Sequence, residues 1–266
     1  MTILITGANG NVSSTLLRSL DSQDVRALVR DPAKAPEGVP VAIGDLDDPA
    51  SLTSAFEGVD VLWLLTAMGP QAPHQSMNAV WAAKQARVEH VVRMSAIGAA
   101  YDAPTRNGRL HALSDAELAG SGIDWTIIKP ASFMQNMIGA VNDGVLYGAN
   151  GDARVGLIDV GDIAEFAAHV LADPAPHAGR TYTLTGPASI SLHDAAAEVG
   201  ATYHPLTPEQ AYEAMVQGGL DEWLASMGAE YAAAFSAGWG DLTTTDFADV
   251  IGRQPRTFAE FACDSM

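Results

Sequence analysis

Positive charge is scarce in this chain, which has 14 lysine and arginine residues against 32 aspartate and glutamate residues. The formal net charge of −18 at pH 7 produces a surface that repels nucleic-acid phosphates and anionic lipid headgroups. Apolar runs long enough to span a bilayer are absent as well. The sequence therefore predicts a small-molecule partner rather than a nucleic acid or a membrane, and any anionic ligand needs a locally positive site.

The chain contains a single cysteine, Cys263. A single cysteine excludes an internal disulfide and fits a reducing compartment. No basic or leader-like segment precedes the first apolar run, so we expect no export signal, a cytoplasmic location, and a monomer or homodimer. Metal binding is not expected either, because six histidines lack metal-ligand spacing: His74, His90, His169, His177, His193 and His204.

The first residues follow the order strand, glycine turn, helix. The apolar run from Thr2 to Ile5 predicts a buried strand, and apolar residues at helical spacing follow the glycines: Val12, Leu16, Leu17 and Leu20. Gly7 would allow a tight turn, and Gly10 would let a pyrophosphate approach the backbone at the helix N-terminus. The third glycine of a dinucleotide-binding loop is replaced by Ser13. A plain strand–turn–helix corner is the alternative.

Strands and helices alternate regularly through the first half of the chain. Strands are predicted at residues 2–5, 25–29, 41–43, 61–65, 90–94 and 124–128, with helices between them that include 71–87 and 110–119. Short connections in this order predict an α/β fold with a Rossmann-type, doubly wound parallel sheet. We expect residues 1–130 to form an NAD(P)-binding core. Residues 131–266 are expected to form a smaller, mostly helical substrate-binding part intertwined with that core, with helices at 205–240 over the carboxyl edge of the sheet.

The end of the second strand normally selects the cofactor. An arginine there suits the 2′-phosphate of NADP, whereas a carboxylate takes the ribose 2′-hydroxyl of NAD. Arg30 comes first, with Lys34 nearby, and favours NADP(H); Asp31 leaves NAD(H) possible. The predicted cofactor-binding residues lie at the ends of the strands: Gly7, Asn9, Gly10, Asn11, Val12, Arg30, Lys34, Asp45, Leu46, Thr66, Ala67, Ser95 and Lys129.

Five segments together resemble the NmrA-like group of atypical short-chain dehydrogenase/reductases, and within it the NAD(P)H-dependent quinone oxidoreductase-type members. They are residues 7–10, 25–32, 122–136, 159–164 and 251–258, so the resemblance runs along nearly the whole chain. The resemblance implies a dinucleotide site. The family contains NADPH-using reductases and also redox-inactive regulators. Its usual arginine before Pro130 is Lys129 in this chain.

The resemblance also implies where catalytic groups would lie. Conventional short-chain reductases use Tyr-x-x-x-Lys, but none of the three lysines of this chain, Lys34, Lys84 and Lys129, follows a tyrosine by four residues. Placing Asp115 at the acidic position of the family's helix puts His111 in the lysine position and Asn107 in the tyrosine position. His111 and Asp115 share one helix face, so the carboxylate could orient or charge the imidazole, which would then donate a proton. The alternative is a surface histidine beside a compensating acid.

Lys129 would either stabilise a developing oxyanion or pair with one of the many acids. The predicted substrate pocket comprises Phe133, Met134, Asn136, Met137 and Trp239, with Tyr231 as a further wall residue, although such side chains more often belong to a hydrophobic core.

The leading hypothesis is an NADPH-dependent oxidoreductase acting on a small aromatic, quinone-like or ketone substrate. A redox-inactive dinucleotide-binding regulator and an enzyme of non-redox biosynthetic chemistry are the alternatives.

Overall fold

A parallel sheet forms the centre of the protein in the computed structural model, which describes residues 1–20 and 24–265. The seven strands lie in the order β10-β6-β5-β4-β1-β2-β3. Their bounds are Thr2–Ile5 (β1), Asp24–Val29 (β2), Val41–Ile43 (β3), Val61–Leu64 (β4), His90–Met94 (β5), Asp124–Pro130 (β6) and Arg180–Leu184 (β10). All neighbouring pairs in this sheet are parallel, as the sequence predicted.

Helices cover both faces of the sheet and form a separate hydrophobic core on each. The side chains of each central strand alternate between these two cores. Ile3 and Ile5 of β1 face one core and Leu4 faces the other, and all three are fully buried. The first core also contains helices α1 (Asn11–Ser19) and α6 (Val160–Ala172). The second contains α2 (Pro49–Ala55), α3 (Ala72–Ala86) and α4 (Arg106–Ala119). The doubly wound Rossmann-type prediction is therefore confirmed.

Helix α4 begins four residues before the predicted start at residue 110. Thr105 caps it, since its Oγ1 accepts a hydrogen bond from the Gly108 backbone N at 3.1 Å. A side chain at Gly108 would place a Cβ 2.8 Å from the Ala103 Cβ, so only glycine fits this turn. Asn107 consequently lies in the first turn of α4, one helical turn before His111.

The second half of the chain adds short strands and a helical cover. A three-stranded sheet combines β7 (Val141–Asn142), β8 (Val145–Gly148) and β12 (Thr202–Pro205), and β9 (Arg154–Val155) pairs with β11 (Ile190–Ser191). The helices are α5 (Gln135–Gly139), α7 (Leu192–Glu198), α8 (Pro208–Gln217), α9 (Glu222–Ser236), α10 (Asp246–Ile251) and α11 (Phe258–Ser265). No helix among the described residues is long and apolar enough to cross a bilayer.

Candidate active site

A cavity of about 1040 Å³ lies at the carboxyl ends of β1 to β6, beneath helix α9. Ligands of open α/β sheets bind at this edge. The volume lies at the upper end of the usual range for ligand pockets, which fits a large ligand and leaves room for a second, smaller one. The cavity crosses the sheet from the ends of β2 and β3 to the end of β6.

The glycine turn after β1 is shaped for close approach by a ligand. Gly7 has φ +62°, and a Cβ there would lie 3.1 Å from the Leu65 carbonyl oxygen. Gly10 caps α1 without any side-chain hydrogen bond, and the first turn of α1 contains no acidic residue. No side chain in the described part of the protein caps the first N–H groups of α1, so these groups can bind an anion, which the partial positive charge of the helix N-terminus also favours. This geometry fits the pyrophosphate of a dinucleotide.

Ser13, at the position of the missing third glycine, ties α1 to the sheet. Its Oγ donates to the Thr6 carbonyl oxygen at 3.0 Å and accepts from Trp63 Nε1 at 3.0 Å. The side chain is fully buried. Serine therefore keeps the close helix–strand packing that glycine provides in the usual motif and adds two buried hydrogen bonds to it.

Arg30 and Lys34 bring positive charge to the end of β2. Both are exposed side chains that line the cavity, and neither forms an ion pair with another residue in the described part of the chain. Asn9 Nδ2 donates to the Lys34 carbonyl oxygen at 2.9 Å, which holds the glycine turn against this segment. Asp31 Oδ1 accepts from the Ala33 backbone N at 3.0 Å, so this carboxylate caps its own turn. The arrangement leaves the two cations free for a phosphate.

The opposite end of the cavity is apolar and aromatic, with a few hydrogen-bonding groups. Helix α4, the segment after β6 and helix α9 form it: Asn107, His111, Phe133, Asn136, Met227, Gly228, Tyr231 and Phe235. Among the described residues, the charged ones that line the cavity are Arg30, Asp31, Lys34 and Asp45, and all of them lie near the ends of β2 and β3, which we call the β2–β3 end. We call the α4–α9 end the acceptor end. It has the composition of a site for a flat, uncharged organic molecule.

A buried ion cluster lies directly behind His111. Arg93 in β5 is 1% exposed, and its Nε donates to Asp115 Oδ1 at 3.0 Å. Asp115 Oδ2 accepts from Ser95 Oγ at 2.8 Å and lies 3.2 Å from Lys129 Nζ. Lys129 also donates to the Ala99 carbonyl oxygen at 3.0 Å. The carboxylate is thus paired with two cations, which is what allows it to stay ionised inside the protein.

Arg93 also determines which nitrogen of the His111 ring carries the hydrogen, and it disfavours a second proton. Arg93 Nη2 lies 3.3 Å from His111 Nδ1, and a guanidinium can only donate, so Nδ1 accepts and the ring hydrogen lies on Nε2. Burial lowers the pKa of His111 to about 4, and the charge of Arg93 acts in the same direction. The sequence instead suggested an imidazole charged or oriented by Asp115. Burial is the larger cause of this difference, and Arg93, which lies against both His111 and Asp115, adds to it, so the neutral imidazole is favoured near pH 7.

Most of the predicted cofactor residues line the cavity: Gly7, Asn9, Gly10, Asn11, Val12, Arg30, Lys34, Asp45, Leu46, Thr66, Ala67 and Ser95. His111, Phe133 and Asn136 line it too. Asp115 and Lys129 do not line it, because their mutual ion pair holds them beneath the surface.

Met134, Met137 and Trp239 belong to the packed C-terminal core instead. Phe133 pairs with Ile158 in an isolated β-bridge, and successive side chains point to opposite sides of an extended chain. Phe133 therefore faces the cavity and Met134 faces away.

Some lining and supporting residues escaped the sequence analysis. Met227, Gly228 and Phe235 lie on α9, which reaches the cavity only through long-range packing. Arg93 did leave a signal, since a charged residue directly after the apolar Val91 and Val92 of a central strand requires a buried partner.

Comparison with known proteins identifies the family. A family model described as NAD(P)H-binding matches residues 7–174. The chain belongs to this NAD(P)H-binding family. It is 37% identical over 280 residues to an NAD(P)H azoreductase of Xenophilus azovorans, covering 98% of this chain and 96% of that protein. It is 32% identical over 278 residues to quinone oxidoreductase 2 of Escherichia coli (strain K12), covering 97% of this chain and 96% of that protein.

Solved structures agree with this placement. The NADPH-dependent quinone oxidoreductase QOR2 of Escherichia coli, solved with NADPH, superposes with a TM-score of 0.88 at 31% identity and covers 99% of both chains. NmrA, a negative transcriptional regulator solved with NAD, has a TM-score of 0.79 at 15% identity over 98% of this chain and 94% of that one, and shares the fold alone. The predicted NmrA-like family is confirmed, and so are NAD(P)H binding and, at the level of the family, the oxidoreductase class.

Proposed function

We propose that this chain is an NADPH-dependent oxidoreductase that reduces uncharged aromatic acceptors, with quinones as the leading class. The observation that carries the proposal is one continuous cavity with two different ends. At the ends of β1, β2 and β3 the cavity has the N-terminus of α1 and two cations that form no ion pair with the described residues, whereas the acceptor end is aromatic and uncharged. A protein that only sensed the cofactor would not need the second end.

The residues after β1 and β2 hold the cofactor in this proposal. The backbone N–H groups at the start of α1 bind the pyrophosphate, and Arg30 with Lys34 binds the 2′-phosphate. Asp31 is engaged by its own turn, which supports NADP(H) over NAD(H). When bound, the nicotinamide supplies the hydride. Residues 1–130 thus hold chiefly the cofactor, and residues 131–266 complete the acceptor end.

His111 orients the acceptor in this proposal. Its Nε2–H is the hydrogen that Arg93 leaves free, so it donates to the acceptor oxygen on which negative charge develops. Asp115 and Lys129 act through Arg93: they keep its guanidinium in place and do not touch the acceptor. The relatives named above as an azoreductase and a quinone oxidoreductase support the acceptor class.

Matched acceptors that differ in charge provide the test. We expect NADPH oxidation with 1,4-naphthoquinone and with an uncharged azo compound. Sulfonated counterparts should be reduced at least tenfold less efficiently, because the acceptor end offers no cation and the protein carries net negative charge. Equal kcat/KM for neutral and sulfonated acceptors would contradict this assignment. NADPH binding without turnover on any acceptor would instead favour the regulator hypothesis.

A further inference from the structure

Tyr231 brings a phenol into the acceptor end from a distant part of the chain. It lies on α9 and lines the cavity beside Asn107 and His111 of α4. Its ring is held by Phe235 and Trp239, with ring centroids 5.6 Å and 6.1 Å away. The Tyr231 ring is therefore fixed by packing, with its hydroxyl against Asn107.

Asn107 fixes the direction of that hydroxyl. Asn107 Nδ2 donates to the Tyr231 phenol oxygen at 3.0 Å, and Asn107 is 3% exposed. Because the phenol oxygen accepts this bond, its own hydrogen can go to a second acceptor, and the Thr105 hydroxyl forms a further hydrogen bond with the phenol. Asn107 and His111 are separated by one helical turn on the same face of α4, so Tyr231 and His111 serve the same region of the cavity.

Reduction of an acceptor oxygen requires a proton, and the other ionisable groups near this end are unsuitable. His111 is neutral, with its Nδ1 bonded to Arg93. Lys129 is engaged by Asp115 and by the Ala99 carbonyl, away from the cavity. Tyr231 is the remaining ionisable residue that lines the acceptor end within the described chain.

The surroundings of Tyr231 keep it protonated. Burial raises the pKa of the Tyr231 phenol, and hydrogen bonds from Asn107 and Thr105 oppose that rise. The negative charge of Glu230 on the same helix raises the pKa further, and Glu230 is itself paired with Arg106 at 2.7 Å. The phenol is therefore present as the acid throughout the physiological pH range.

We propose that Tyr231 is the proton donor of the reduction, with Asn107 as its positioning residue. The proposal rests on the function proposed above. The acceptor gains a hydride, which carries two electrons, and the negative charge collects on its oxygen. The Tyr231 O–H bond then breaks, an O–H bond forms on the acceptor, and water returns a proton to the phenolate. A hydroquinone is itself a phenol, so the acidities of the proton donor and the product are similar. Proton transfer between them therefore has an equilibrium constant near one.

Tyr231→Phe removes the hydroxyl and keeps the ring. We expect kcat with 1,4-naphthoquinone to fall by about 100-fold, the lower end of the usual range for a positioned acid. The wild-type rate should be constant between pH 6 and 9, whereas the residual rate of the variant should fall as pH rises, because its proton must come from solution. Tyr147→Phe, on a partly exposed ring in β8, should leave both properties unchanged.

A binding measurement without reductant separates this proposal from the proposed function. Quenching of tryptophan fluorescence by 1,4-naphthoquinone, with no NADPH present, should show about fivefold weaker binding to Tyr231→Phe, the loss of one hydrogen bond. A rate loss of equal size at every pH, with unchanged quinone binding and thermal stability, would overturn the proton-donor role. An unchanged kcat would overturn it too. Absence of turnover by the wild type would instead contradict the proposed function.

Discussion

Replacing Arg30 by alanine tests how the protein selects its cofactor. Arg30 is exposed at the end of β2, lines the cavity and forms no ion pair with the described residues. Its removal therefore breaks no internal contact that would complicate the result. Loss of one hydrogen-bonding partner to a charged group costs about 1.5–3 kcal/mol. At 1.4 kcal/mol per factor of ten, NADPH binding should weaken by roughly tenfold to over a hundredfold.

NADH serves as the internal control, because it lacks the 2′-phosphate that Arg30 is proposed to bind. Calorimetric titration of both cofactors should show NADH affinity nearly unchanged in Arg30→Ala. Arg18→Ala removes the same charge from an exposed residue in the last turn of α1, away from the cavity, and should leave NADPH affinity within about twofold. Equal weakening of NADPH and NADH in Arg30→Ala would refute recognition of the phosphate by this residue.

Two further predictions concern the glycine turn after β1 and a buried histidine at the start of β5. Gly7→Ala forces an L side chain into φ +62° with its Cβ 3.1 Å from the Leu65 oxygen, so NADPH affinity should fall by about tenfold in a titration. Gly38→Ala has similar strain at φ +75° but open space, and should lose stability only, about 1 kcal/mol by urea unfolding. His90 is 3% exposed, and burial lowers its pKa from 6.5 to about 4, so protonating this ring costs more in the folded than in the unfolded chain. The free energy of unfolding of the wild type should therefore fall as the pH drops from 6.5 to 4. Urea unfolding should show a smaller fall for His90→Gln, and the wild-type fall for the exposed His204→Gln.

Local sequence signals predicted the part of the fold that depends on neighbouring residues. The apolar run of β1, the glycines after it and the apolar spacing of α1 lie within the first 20 residues, and each supports the same strand–turn–helix unit. The start of α4 was missed because its cap, Thr105, lies in a segment with loop-like composition. The strands β7, β9 and β11 have two residues each, too few for any periodicity to appear.

The acceptor end depends on contacts that no local pattern contains. Asn107 and Tyr231 are 124 positions apart in the chain and meet only because α9 packs over α4. Phe133 and Met134 are both large apolar residues, so the sequence does not distinguish them. The β-bridge between Phe133 and Ile158 determines which of the two faces the cavity. Local patterns thus predicted most residues that line the cavity near the ends of β1, β2 and β3, whereas the pairing of residues at the acceptor end required the tertiary structure.

The most direct test of the central claim measures the products of the reaction. Purified protein, NADPH and 1,4-naphthoquinone are mixed without oxygen, and the loss of NADPH and the formation of hydroquinone are followed together. The account predicts one hydroquinone for each NADPH consumed, with NADH reacting less efficiently. Tight NADPH binding without hydroquinone formation from this or any other neutral aromatic acceptor would contradict it.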